Sequence, residues 1–122
     1  NLLSAVKLSE AFHLPLAKTK GVFLSISSLM GSIEDNQGGG SILYRSSKAA
    51  LNAAMKSVSI DIKASGVGVL ILHPGWVRTD MGGPNGLIDA PESVQGMRER
   101  ISAFDLSQTG QFIKYDGTDM PW

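Results

Sequence analysis

The sequence predicts an α/β fold with a doubly wound parallel sheet, in a single domain over residues 1–122. Two short runs, at 21–26 and 67–72, carry consecutive apolar residues, and between them apolar residues recur at steps of three and four. Runs that are apolar on both faces are typical of strands covered by helices on both sides. Strand, helix and strand in this order predict parallel strands joined by a crossover helix.

The same patterns give the order of elements along the chain. We expect three helices, over residues 1–19, 42–64 and 90–104, and three strands, over 21–28, 67–72 and 111–115. Pro15 should bend or end the first helix, because a proline inside a helix removes one hydrogen bond. Gly66 suits the carboxyl-terminal cap of the second helix. A loop rich in Gly, Pro and Asn should separate residue 79 from residue 88.

The central helix carries two stripes. The apolar stripe holds Tyr44, Lys48, Leu51, Met55, Val58 and Ile62. The polar stripe, which we expect to face solvent, holds Arg45, Asn52, Lys56, Ser59 and Lys63. A lysine on the apolar stripe loses hydration and needs a partner or a ligand, so Tyr44 and Lys48, four residues apart, form a candidate proton donor beside a cation. The alternative is that Lys48 extends its amine from the end of a buried stripe into water.

Polar side chains follow both predicted strands. Ser28 ends the first strand, and the segment 74–79 follows the second. Ligands of parallel sheets bind outside the carboxyl ends of the strands, and Tyr44 at the start of the helix can reach the same crevice. Ser28 is therefore a candidate site residue, although a hydroxyl at a strand end can also serve only to cap backbone groups.

With these residues in place, the chain resembles the short-chain dehydrogenase/reductase family, and within it the C-factor/sniffer-like carbonyl reductases. Residues 27–31 are similar to the serine motif of that family, Tyr44 and Lys48 to its Tyr-x-x-x-Lys signature, and residues 74–79 to its Pro-Gly motif. Asn1 stands where the family has its catalytic asparagine. The loop between Ser28 and Tyr44, which carries residues 34–40, is a few residues longer than the commonest family spacing, which leaves the shape of the substrate side open.

The resemblance implies a Rossmann-type domain and an NAD(P)(H)-dependent oxidoreductase that reduces a carbonyl or oxidises a secondary alcohol. Tyr44 would donate the proton and Lys48 would stabilise the phenolate and hold the nicotinamide ribose. Ser28 would bond the substrate oxygen, and Asn1 would position a water in the proton relay.

The resemblance also implies the ligands. The residues that would contact the cofactor are Tyr44, Lys48, Pro74, Gly75, Val77 and Thr79. We expect NADP(H), with NAD(H) as the alternative, a small carbonyl or alcohol substrate, and a homodimer or homotetramer for the full-length protein.

A glycine-rich turn for the pyrophosphate, which such enzymes carry after their first strand, is not found in this sequence. The glycines at 38–40 follow a polar loop rather than a strand, so they do not replace it. We therefore expect a carboxyl-terminal fragment that lacks the first four strands and is inactive alone.

The amino-acid composition narrows the classes of function that this chain can have. The formal charge is zero, so nothing suggests a nucleic-acid partner, and no apolar run reaches the roughly 20 residues that span a bilayer. Without cysteine, and with two isolated histidines, no metal site is predicted. We expect a cytoplasmic protein. Two alternatives stay open: a non-catalytic dinucleotide-binding relative that acts in signalling and, less favoured because the tail after Thr79 is short, an extended-type epimerase or dehydratase.

Overall fold

The structure is a computed structural model that describes residues 2–122. In that range it holds α1 (Leu2–Thr19), β1 (Val22–Ile26), α2 (Ile42–Asp61), β2 (Gly68–His73), α3 (Ala90–Ser102) and β3 (Gln111–Lys114). Short 3-10 turns occupy Leu29–Gly31, Lys63–Ser65 and Leu106–Gln108. The predicted order of helices and strands is confirmed.

The three strands form one parallel sheet in the order β1-β2-β3, with Leu24 opposite Leu70 and Leu72 opposite Ile113. Residues of β2 alternate between two clusters. Val69 and Ile71 pack with Leu51 and Met55 of α2 on one face, and Leu70 and Leu72 pack near Met97 of α3 on the other. Helices therefore cover both faces, as in a doubly wound sheet.

The first two strands differ in burial. All of β2 except His73 is buried, whereas Ile26 of β1 keeps 47% of its surface exposed. In the described part of the chain, β2 has a neighbour on each side and β1 has only β2. The missing neighbour concerns an edge of β1, whereas the exposure of Ile26 shows that its faces, expected to be covered, are covered only in part.

The first helix does not end at Pro15 but continues to Thr19. Its last turn is closed by backbone bonds that do not need the missing proline N–H: Gly21 donates to Leu16 at 2.9 Å and Lys20 to Ala17 at 3.4 Å. No helix among residues 2–122 is long and apolar enough to cross a membrane.

The polar stripe of α2 is the main error of the sequence prediction. Asn52 and Ser59 are buried, with 2% and 1% of their surfaces exposed, rather than facing solvent. Both lie four residues after a member of the apolar stripe, Asn52 after Lys48 and Ser59 after Met55, and residues at that spacing share a face. The helix also ends three residues early, at Asp61, and Gly66 with φ of 79° caps the 3-10 turn that follows.

Candidate active site

A cleft of about 770 Å³ opens at the carboxyl ends of β1 and β2, where doubly wound sheets bind ligands. Its walls come from the turn after β1, the start of α2, the loop after β2 and the first residues of α3. Six of the predicted site residues line it, namely Ser28, Tyr44, Pro74, Gly75, Val77 and Thr79. Its volume lies in the range of small-molecule sites.

Tyr44 and Lys48 stand one turn apart on α2. The Lys48 Nζ lies 5.9 Å from the centroid of the Tyr44 ring and donates a 3.0 Å hydrogen bond to the carbonyl oxygen of Ile26. Partial burial lowers the pKa of the Lys48 ammonium below its usual value. The partly exposed side chain is thus bonded to the end of β1, and its cation lies near the Tyr44 ring.

Ser28 directly follows β1 and caps the 3-10 turn, because its Oγ accepts a 3.1 Å hydrogen bond from the Met30 N–H. The capping role is therefore present in the structure. It uses a lone pair of the hydroxyl and not its proton, and among residues 2–122 that proton is donated to no acceptor. The same hydroxyl can cap the turn and donate to an oxygen in the cleft.

The loop after β2 is anchored from two sides. Ser93 at the start of α3 is buried and donates a 2.6 Å hydrogen bond to the Pro74 carbonyl. Gly75 has φ of +85°, and a Cβ there would lie 2.7 Å from Ile88 and 3.0 Å from the Tyr115 ring. Only glycine meets both the backbone angle and the close approach, which explains the Pro-Gly pair at this point.

The rest of this loop is closed by contacts within itself, and its residues Met81 and Gly82 line the cleft. Arg78 forms a 2.7 Å salt bridge with Asp89, and the Trp76 indole donates a 2.8 Å bond to the Gly82 carbonyl. The Thr79 Oγ accepts a 3.1 Å bond from the Gly82 N–H. These contacts keep Trp76 and Thr79 at the cleft, which both residues line.

The structure brings most predicted site residues to one place, with two exceptions. Lys48 lines a smaller pocket of about 220 Å³ between α1, β1 and α2. Its Nζ lies 5.9 Å from the ring centroid of Tyr44, which lines the main cleft. Asn1 lies outside the described residues. Trp122, the other tryptophan, packs on Phe112 with ring centroids 5.6 Å apart.

Two residues beside the cleft were not predicted from the sequence. Asn52 was assigned to the solvent face, and Ser27 was noted only as part of a motif. The Ser27 Oγ donates a 2.5 Å hydrogen bond to the Asn52 Oδ1, and both side chains are buried. The spacing of four residues between Lys48 and Asn52 is the signal in the sequence that could have placed Asn52 inward.

His73 also lines the cleft, at the end of β2. Burial lowers its pKa below the usual value, Lys114 lowers it further, and Asp116 opposes the shift. Its buried Nδ1 has no hydrogen-bond partner within residues 2–122. At neutral pH His73 is therefore an uncharged group of the cleft wall.

The side chains of the cleft fit the nicotinamide-ribose end of an NAD(P) cofactor. Ser28, Tyr44 and Thr79 bring hydroxyl groups, and the Lys48 ammonium lies beside Tyr44. In the described part of the chain, neither lysine nor arginine lines the cleft, so these walls offer no cation to a pyrophosphate. The fit is to one end of the cofactor only.

The parallel sheet and the cleft at its carboxyl edge define an α/β protein of the Rossmann type. Residues 1–87 match the sequence profile described as short chain dehydrogenase. This chain belongs to the short-chain dehydrogenase family. C-signal of Myxococcus xanthus is 47% identical to it over 97 residues, which cover 80% of this chain and 58% of that protein.

Two solved carbonyl reductases share the whole described fold. The carbonyl reductase Sniffer of D. melanogaster superposes with a TM-score of 0.93 at 40% identity, and the NADPH-bound carbonyl reductase from chicken fatty liver with 0.89 at 36%. Each match covers 100% of this chain and 54% of the other. The resemblance to the C-factor/sniffer-like branch is thus confirmed, and the chain spans about half the length of these relatives.

Proposed function

We propose that this chain is the carboxyl-terminal part of an NAD(P)(H)-dependent carbonyl reductase. The observation that carries the proposal is the phenol of Tyr44 at the cleft with the Lys48 ammonium 5.9 Å from its ring centroid. A proton donor backed by a cation at the carboxyl edge of a parallel sheet is what carbonyl reduction requires. Membership of the short-chain dehydrogenase family supports the same reaction class.

In this proposal the steps of the reaction are divided among these side chains. A bound nicotinamide dinucleotide supplies the hydride. Tyr44 gives its hydroxyl proton to the substrate oxygen as negative charge grows there, and Ser28 donates a second hydrogen bond to that oxygen. Lys48 stabilises the phenolate that Tyr44 becomes. Asn1 remains a predicted member of the proton relay.

Lys48 has enough donors for the two roles proposed for it. An ammonium carries three N–H groups, and the bond to the Ile26 carbonyl uses one of them. That bond also fixes the direction of the side chain, so the remaining two hydrogens face a limited region that includes Tyr44. We propose that the ribose hydroxyls of the cofactor lie in this region.

The cofactor and substrate follow from the same cleft. The NADPH present in the chicken carbonyl reductase structure supports NADP(H) over NAD(H). Pro74, Gly75, Val77 and Thr79 are proposed to hold the carboxamide of the nicotinamide. We propose a small carbonyl compound, or the corresponding alcohol in the reverse direction, as the substrate.

A second candidate is a non-catalytic relative that binds a dinucleotide and acts in signalling. The observation that favours it is the 47% identity to a protein named C-signal. Both candidates require cofactor binding, and only the reductase requires turnover, so one experiment separates them.

The test uses the full-length protein with NADPH and two probes, a simple dicarbonyl and an aromatic ketone. We expect NADPH consumption that depends on the carbonyl and yields the alcohol, detected by chromatography. Saturable NADPH binding without turnover of either probe, and without oxidation of a secondary alcohol by NADP⁺, would favour the signalling relative. The absence of both binding and turnover would contradict both candidates.

The oligomeric state is proposed from exposed apolar side chains on two neighbouring helices. Leu3 and Leu14 of α1 are each 70% exposed, and Ile42 and Leu43 of α2 are exposed still more. We propose that full-length chains pair through α1 and α2 as a homodimer or as half of a homotetramer, which would cover these exposed apolar side chains. Light scattering that shows a monomer at micromolar concentration would contradict this.

A cytoplasmic location stays a prediction.

A further inference from the structure

Beneath the cleft lies a buried polar contact that the proposed reaction does not use. The Ser27 Oγ donates a 2.5 Å hydrogen bond to the Asn52 Oδ1, and the two side chains keep only 3% and 2% of their surfaces exposed. Ser27 belongs to the turn after β1, and Asn52 belongs to α2, 25 residues later. The contact therefore ties a strand end to the helix that carries Tyr44 and Lys48.

Ser27 is bonded to a third element as well. Its backbone N–H donates a 2.8 Å hydrogen bond to the Leu72 carbonyl near the end of β2. Ser27 thus joins the ends of β1 and β2 through its backbone and α2 through its side chain. Ser28, the next residue, follows directly from this three-way junction.

The turn that Ser28 caps rests on the same part of α2. A Cβ on Gly31 would lie 2.9 Å from the carbonyl carbon of Lys48 and 3.0 Å from the Asn52 Nδ2. The turn therefore touches the helix between these two residues at its end and is bonded to Asn52 at its start. Two attachments to one helix fix the position of Ser28 relative to Tyr44.

Stability alone does not account for this pair. The Asn52 Nδ2 is buried without a hydrogen-bond partner within residues 2–122, and an unpaired buried amide disfavours the folded state. Apolar side chains of similar size would fill the space without that penalty. An amide at such a place calls for another role.

We propose that Ser27 and Asn52 are positioning residues that hold the Ser28 hydroxyl in reach of the oxygen that Tyr44 protonates. This inference rests on the proposed carbonyl reductase function. Neither residue needs to touch substrate or cofactor, because a small displacement of a catalytic group by a distant change is enough to slow a reaction about a hundredfold.

The test is a double-mutant cycle between Asn52 and Ser28 in the full-length protein, with Asn52→Ala, Ser28→Ala and the double variant. We expect Asn52→Ala to lower kcat between about ten- and a hundredfold with NADPH affinity unchanged. If Asn52 acts through Ser28, adding Asn52→Ala to the Ser28→Ala variant lowers kcat no further. Additive losses, which a merely structural role produces, overturn the inference and leave the proposed function intact.

Two further variants allow the result of the cycle to be interpreted. Ser59→Ala removes a hydroxyl equally buried on α2 that bonds only within its helix, to the Lys56 carbonyl, and it should leave kcat unchanged. Ser27→Ala removes only one hydroxyl and repeats the cycle if Asn52→Ala does not fold. A silent Ser28→Ala variant overturns both this inference and the proposed role of Ser28, while turnover itself still tests the reductase.

Discussion

The Lys48 ammonium lies 5.9 Å from the centre of the Tyr44 ring and is held there by a hydrogen bond to the backbone at the end of β1. The cation is therefore placed by the sheet as well as by the helix. Burial lowers the pKa of this ammonium, and a less hydrated cation interacts more strongly with a neighbouring anion. The hydrogen bond to Ile26 therefore places a cation near the ring that we propose as the proton donor.

Tyr44→Phe should abolish most carbonyl reduction while leaving cofactor binding almost unchanged, because the ring is kept and only the proton donor is lost. General acids contribute about 10²- to 10⁴-fold to rate, and we expect kcat to fall by that factor. Steady-state rates with a dicarbonyl, together with an NADPH titration, measure both effects. Tyr115→Phe is the matched control, because it also removes only a phenol hydroxyl, one that bonds Glu92 at 3.3 Å, and it should leave turnover nearly unchanged. Near-normal turnover of Tyr44→Phe would contradict the assignment.

Lys48→Ala should differ from Tyr44→Phe by weakening cofactor binding as well as turnover. The ammonium is proposed to serve both the phenol and the ribose, so KM for NADPH rises while kcat falls. Lys63→Ala, which removes an exposed lysine near the other end of α2, should change neither. A fall in kcat with unchanged affinity would mean that the ribose contact is wrong.

Gly31→Ala should disturb the site through packing. The new Cβ would lie 2.9 Å from backbone and side-chain carbons of Lys48, so the turn and α2 must separate. Overpacking of this kind costs about 1–3 kcal/mol, and urea unfolding of the full-length protein measures it. Gly38→Ala is the control, because no heavy atom lies within 4 Å of a Cβ at that position. Equal stability of the two variants would argue against the close approach.

The order of elements followed from periodicity because β2 and the apolar stripe of α2 are buried by their immediate neighbours. The unpaired edge of β1 could not be predicted from periodicity, because a run such as 22–26 has the same pattern in a central strand and in an edge strand. Helix ends were wrong by two or three residues at Asp61 and Ser102, where 3-10 and irregular turns take over. Local sequence does not separate these conformations.

The residues of the candidate site that lie in short sequence motifs could be predicted from the sequence. Ser28 and Tyr44 come together because parallel strands bring their carboxyl ends to one edge. The burial of Asn52 was not predicted, because a polar amide on a helix is usually exposed to solvent. Its hydrogen-bond partner, Ser27, is 25 residues away in the sequence. The hydrogen bond of Lys48 to Ile26 was likewise invisible, because a backbone carbonyl leaves no trace in sequence.

His73 should make stability depend on pH. Its pKa is lowered by burial and by Lys114, so the folded state binds the proton less tightly than the unfolded state does. The contribution is fully present above the ordinary value of 6.5 and is lost as pH falls through the folded pKa. The melting temperature of the full-length protein should therefore drop between about pH 7 and pH 5 more than that of His73→Gln. Parallel curves for the two proteins would contradict this.

The 122 residues expressed alone should show neither a cooperative melt nor saturable NADPH binding at micromolar concentration. In the described chain, β1 is paired on one side only, and its Ile26 is 47% exposed, so its other edge can pair with further molecules and promote aggregation. The cleft holds Tyr44 and Thr79 for one end of the cofactor but neither lysine nor arginine on its walls for the pyrophosphate. Thermal denaturation and NADPH fluorescence test both points, with the full-length protein as control. A sharp transition with micromolar binding would mean that these residues suffice, and the proposed dependence on a preceding glycine-rich turn would then be wrong.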